Sequence, residues 1–216
     1  MEDNDSFDFN MELNLNDFEI GLDQESKTDA RILKPKMMIR KKNFVKYSHA
    51  EEMAKELEIT KRSSHYAIVS GSFIFGDLIE ALILKYNWKV KELFISTLSL
   101  SQENIDSLAG LLDHGYVEKL TLLVSAYYYS HEKWSLVPYM YKTLDKENRF
   151  QLAVYRTHCK ITQIDTGDLK LVLHGSANMR SSGNIEQVMI EENEELYNFN
   201  KMYHNEIIEK YKTIKG

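Results

Sequence analysis

The chain has 216 residues, 43% of them hydrophobic and 11% aromatic, enough apolar material for one ordinary domain and too short for two full ones beside a tail. No apolar run approaches a membrane span and the N-terminus is acidic rather than a basic leader, so a soluble cytoplasmic protein with no membrane insertion is expected. The single cysteine, Cys159, excludes an intrachain disulfide and a thiolate metal cluster.

The net charge of −6 is unevenly placed: residues 1–29 hold ten of the 33 acids and one of the 27 bases, net −9, leaving 23 acids and 26 bases, net +3, for residues 30–216. Residues 1–29 read as a disordered acidic tail. Its scattered Phe7, Phe9, Leu13, Leu15, Phe18 and Ile20 follow no strand or helix period, and three roles stay open: docking on a protein partner, docking on the body, or solubilising the chain. Residues 30–64 read as a basic linker and a short helix. Arg31, Lys34, Lys36, Arg40, Lys41, Lys42 and Lys46 precede any acid before Glu51, a run suited to nucleic-acid phosphates, to pairing with the tail, or to solvation alone. Ser48 with Glu51 three residues on predicts a capped helix to about Ile59.

From residue 65 to 212 the pattern predicts one domain. Tyr66–Ser70 is an apolar strand followed by Gly71, and Ser70-Gly71-Ser72 lacks the lysine of a phosphate loop, so a turn is expected there. A helical period runs through Leu78, Ile79, Leu82 and Ile83. Val90–Thr97 is the next strand, and Ser101 caps a helix through Ile105, Leu108, Leu111 and Leu112 that stops near Gly115. Leu120–Ser125 is a strand; a helix is predicted from about His131 to Leu144, kinked or started at Pro138; Phe150–Arg156 is a further strand. Then the rhythm changes. Cys159–Asp165 and Leu169–His174 form a hairpin about Thr166-Gly167-Asp168, Gly175–Asn184 is a loop, Glu186–Ile190 a strand, and Asn193–Tyr211 a closing helix. The fold class is α/β, with a mixed, largely parallel sheet flanked by helices.

The chemistry concentrates at this hairpin. On a regular strand His158 and Lys160 leave the same face, and an imidazole beside an ammonium is unfavourable unless the ring is neutral or an anion lies between them. A phosphate meets that need. The Gly175-Ser176-Ala177-Asn178 loop adds backbone N–H groups, a hydroxyl and an amide at the same level of the sheet, a cup for a tetrahedral anion with a histidine poised to attack phosphorus. Asp165 falls on the opposite face, so its expected role is to hold the hairpin turn. Glu186 is positioned to orient the His158 ring through its second nitrogen, and Arg180 to grip a further phosphate or merely to sit on the surface. By the same alternation Cys159 is expected in the core, and His174 to bond locally at the strand end. Tyr127-Tyr128-Tyr129 suit either base stacking at the groove edge or half-buried packing.

This constellation resembles the phospholipase D-like superfamily, whose signature is H-x-K-x-x-x-x-D followed by G-S-x-N. His158, Lys160 and Asp165 match the first part, and Gly175, Ser176 and Asn178 the second; Glu186 sits where the nuclease branch often carries a glutamate. The nine residues between Asp165 and Gly175 exceed the family's commonest spacing. The resemblance implies a half-domain of that fold and a metal-independent two-step displacement. His158 would be the nucleophile, Lys160 and Asn178 would hold nonbridging oxygens with Ser176 and Gly175, and Glu186 would complete the catalytic set. No other histidine is followed by the full motif; His131 has Lys133 two residues on but neither the aspartate nor the Gly-Ser loop. A site needing two histidines therefore implies a homodimer. Nucleic acid, DNA or RNA, is the expected partner. The alternatives are a phospholipase or phosphatidyl-transfer enzyme, and a non-catalytic nucleic-acid-binding module that keeps the phosphate cup.

Overall fold

The computed structural model describes residues 44–47, 50–69, 73–180 and 183–212. The acidic tail, most of the basic stretch, Ser48 and the Ser70-Gly71-Ser72 turn lie outside the described residues. In chain order the elements are β1 (Phe44–Tyr47), α1 (Ala50–Glu56), β2 (Ser64–Val69), α2 (Phe75–Lys85), β3 (Glu92–Thr97), α3 (Gln102–Asp113) and β4 (Leu120–Ser125). There follow α4 (Ala126–Glu132), α5 (Leu136–Leu144), β5 (Phe150–Tyr155), β6 (Ile161–Asp165), β7 (Lys170–Gly175), β8 (Glu186–Glu192) and α6 (Glu194–Tyr211).

The strands form one sheet in the order β1-β2-β8-β7-β6-β3-β4-β5. The class is the expected mixed α/β sheet flanked by helices. Its balance leans toward antiparallel pairing: β1/β2, β3/β4 and β4/β5 are parallel, while β2/β8, β8/β7, β7/β6 and β6/β3 are antiparallel. The reason is topological. The β6–β7–β8 meander is inserted between β2 and β3 instead of extending an edge, so the middle of the sheet carries the candidate motif. β1, within the expected basic linker, adds a parallel edge strand.

Alternate residues supply two cores. Leu93 and Ile95 of β3, with Leu122, Val124 and Leu152, face the row of helices α1, α2, α3 and α5. Phe94, Leu123 and Ala153 face Ile207 of α6 on the other side. Helix α3 begins at Ser101, where a capping box with Asn104 closes both reciprocal bonds. At the β6–β7 turn, Gly167 has φ +89° and its N–H donates to Asp165 Oδ1 at 2.7 Å, while Lys170 pairs with the other carboxylate oxygen. Burial alone would raise the Asp165 pKa, but those two partners outweigh it and hold the carboxyl below its ordinary value.

The single helix expected from about His131 to Leu144 is two. Ser125 Oγ accepts the Tyr128 N–H at 3.0 Å, so α4 starts directly off β4. A continuous helix would bring the Pro138 ring against the carbonyl of Trp134, four residues back. The chain breaks at 133–135 and restarts at Leu136, so that Pro138 falls in the first turn of α5, where no N–H is needed.

Under α6, His204 stacks on Phe94 with ring centroids 3.9 Å apart, and its Nδ1 lies 2.7 Å from Gln163 Oε1. Burial pushes the ring's pKa from 6.5 down to about 4. Between those values the unfolded chain binds a proton that the fold refuses, so this contribution is complete above pH 6.5 and is lost as pH falls toward 4. The expected loss is about 3 kcal/mol across the window. Urea midpoints between pH 7 and pH 4.5 should record it, and His204→Leu should flatten the slope; an unchanged slope would refute the assignment.

Candidate active site

The registers bring seven strand ends to one end of the sheet. Ser96 of β3 lies opposite Ile161, which begins β6, and Ile161 lies opposite His174 of β7. Gly175 pairs with Val188, and Val69, ending β2, pairs with Glu186. The parallel strands β3, β4 and β5 end at the same level. From the end of β5 the chain must therefore cross the ends of β4 and β3 to reach β6, and residues 156–160 make that crossing. Ser96 Oγ pins it by donating to Cys159 O at 2.9 Å.

His158 and Lys160 lie on this crossing, ahead of the β6 ladder, so strand alternation does not govern them. Cys159 is accordingly exposed, a correction to its expected place in the core. Lys160 Nζ donates to His158 O at 3.2 Å, and the two residues line a cavity of about 310 Å³ with Cys159, Ile161, His174, Gly175, Leu196 and Asn200. His174 thus faces the same space as His158, a placement that its position at a strand end did not signal.

Beyond Gly175 the loop keeps an in-out alternation. Ala177 and Met179 are buried while Ser176 and Arg180 are exposed and Asn178 is half-buried. The Met179 N–H donates to Thr97 Oγ1 at 3.3 Å and its carbonyl accepts the Gly76 N–H at 2.9 Å, so two buried anchors hold the loop while the polar side chains face out. Asn178 Oδ1 accepts the Leu98 N–H at 3.3 Å, which directs its Nδ2 as the group able to donate to a phosphate oxygen. Ser176 is locked into β8: its N–H donates to Gln187 O and its Oγ accepts the Gln187 N–H, both at 3.0 Å, while its hydroxyl donates to Glu186. Glu186 thus meets Ser176, and it lines a different pocket from the His158 ring it was expected to orient. Asn178, Arg180 and Glu186 line a second, narrower pocket with Asn184.

The predicted residues therefore gather at one end of the sheet in two neighbouring groups. His158, Lys160 and Gly175 share the larger cavity; Asn178, Arg180 and Glu186 share the smaller; Ser176 joins the turn to Glu186. Asp165 sits at the far end of β6, in the turn. Thr97, Leu98 and Ser125, which position the loop from β3 and β4, were not singled out in the sequence. Thr97 and Ser125 leave one trace there, polar side chains closing apolar strands.

No protein-family model matches the sequence, and no curated protein matches it. Solved structures do. NucT from Helicobacter pylori matches with a TM-score of 0.52 at 17% identity, over 70% of this chain and 100% of that one. Nuc from Salmonella typhimurium, a phospholipase D family member, gives a TM-score of 0.52 at 11% identity, over 72% and 100%. The chain has the phospholipase D-like fold. The phosphatidylserine synthase of Haemophilus influenzae Rd KW20 is also similar, with a TM-score of 0.51 at 15% identity over 71% of this chain. The chain spans 40% of that synthase. Among the described residues no helix is long and apolar enough to cross a membrane.

Proposed function

We propose that this chain is a nuclease, a metal-independent phosphodiesterase whose active site is shared by two copies. The observation that carries the reading is that His158 and Lys160 line one cavity with Gly175, at the same end of the sheet as Ser176 and Asn178. With one such motif in these 216 residues, the proposed site takes its second histidine from a copy related by a two-fold axis. The chain covers the whole length of NucT and Nuc and 40% of the synthase.

In the proposed reaction a ring nitrogen of His158 attacks phosphorus, forming the P–N bond as the bond to the leaving oxygen breaks. The partner's His158 donates the proton that oxygen needs. Water, losing a proton to the partner's His158, then attacks phosphorus and breaks the P–N bond. Lys160 Nζ and Asn178 Nδ2 stabilise the charge on the nonbridging oxygens. Glu186 acts through Ser176, keeping the turn in place.

The net +3 of residues 30–216, with the basic run at its start, favours a polyanion over a neutral headgroup. The test is cleavage of end-labelled single-stranded DNA, duplex DNA and RNA in EDTA. Cutting of at least one is expected. Hydrolysis of phosphatidylcholine vesicles with no nucleic acid cut would favour the lipid reaction, and oligonucleotide binding without cleavage would favour a binding module.

A further inference from the structure

We propose that Tyr127, at the start of α4, and Trp134, just past its end, form a stacking platform that binds the bases of single-stranded nucleic acid. The identity of the polymer rests on the nuclease reading above; the platform itself rests on separate observations.

The first is position. Ser125 Oγ, which caps α4, also donates to Leu98 O at 3.2 Å, and the Leu98 N–H is the group bound by Asn178. Helix α4 and the Gly-Ser-x-Asn turn are therefore tied to the same residue. The 156–160 crossing passes over the end of β4, from which α4 springs, so Tyr127 and His158 belong to one rim of the sheet. Arg180 lies near enough to Tyr128 to oppose the upward push that burial gives its hydroxyl.

The second is exposure. Tyr128 is buried and anchors α4, but Tyr127 is 70% exposed and Trp134 83% exposed. Rings packed as core would be covered. These two stay in water because α4 turns Tyr127 outward and the Pro138 break leaves Trp134 in the 133–135 turn.

The third is bracing. The Tyr127 ring meets the His131 ring at 4.0 Å, tilted by 35°, and His131 Nδ1 lies 2.8 Å from Tyr127 O. Lys133 Nζ lies 5.0 Å from the centre of the Trp134 ring. Each aromatic thus has a cation or a titratable ring beside it, a combination that suits planar bases joined by phosphates. A duplex hides its base faces in its own stack and a lipid headgroup has none, so the matching ligand is a single strand.

Binding is best measured on the full chain carrying His158→Ala, so that the probe is not cut. The probes are a labelled 20-residue thymidine oligonucleotide and an abasic 20-mer of equal charge, at low salt. The thymidine probe should bind about tenfold more tightly than the abasic one. Adding Trp134→Ala or Tyr127→Ala should remove about tenfold of the thymidine affinity and leave abasic binding unchanged. With His158 intact, neither substitution should alter hydrolysis of bis(p-nitrophenyl) phosphate, which is too small to span the site and the platform, and circular dichroism should be unchanged. Equal affinity for the two probes, or equal losses on both, overturns the platform while oligonucleotide cleavage by the unmodified chain keeps the nuclease reading. If no oligonucleotide is bound or cut, both fall together.

Discussion

His158→Ala should abolish EDTA-resistant cleavage, a fall of about a thousandfold or more, because one substitution in a symmetric pair removes both the nucleophile and the proton donor. The fold should survive. His158 is exposed and lies before β6 begins, and substitutions at such sites change stability by no more than about 0.5 kcal/mol. Mixing separates a shared site from an independent one. If each site needs both histidines, an equal mixture of unmodified and His158→Ala chains, allowed to exchange, retains about one quarter of full activity, since only one pair in four is complete. Independent sites would retain about one half. Lys160→Ala should also lower activity steeply, with the loss chiefly in turnover, since the ammonium stabilises charge that develops as the leaving oxygen departs. Cleavage that survives His158→Ala and vanishes in EDTA would sink the mechanism altogether.

What was legible in the sequence follows from how locally each feature is determined. The cap at Ser101, the Gly167 turn and the strands β3 and β4 are set by neighbours within a few residues, and sequence spacing captures them. The motif residues are likewise local, and all but Asp165, kept apart in the turn, meet at one end of the sheet. The features that escaped depend on the rest of the fold. Nothing near residue 158 announces that two strands separate β5 from β6, so the crossing, and with it the exposure of Cys159, could not be read from alternation. The same holds for the meander's place in mid-sheet. The break before α5 was legible in principle, because Pro138 forbids a helix through Trp134; a start at Pro138 was one of the options, and the helix begins two residues earlier. Glu186 differs again. Its approach to Ser176 is a cross-strand contact whose register depends on Gly175 facing Val188.

That register makes Gly175→Ala the second large effect. A Cβ at Gly175 would lie 2.0 Å from Gln187 O and 2.9 Å from Gln187 C. Both are backbone atoms of β8, so no side-chain rotation relieves the clash, and the end of β7 must part from β8. The first bonds lost are those between Ser176 and Gln187, and with them the Ser176–Glu186 contact that frames the turn. Overpacking of this kind, with the loss of two hydrogen bonds, should cost about 2–4 kcal/mol. Activity should fall further than stability does, because the strain is released where Ser176 and Asn178 are held. Gly110→Ala is the matched control: it lies in α3 with nothing within 4 Å of the added carbon. It should stabilise the chain by about 0.5–1 kcal/mol and leave cleavage unchanged. Urea midpoints and initial rates for the two variants, measured side by side, decide the matter. A Gly175→Ala chain with the midpoint and activity of the unmodified protein would mean that the β7–β8 contact is not what shapes the turn.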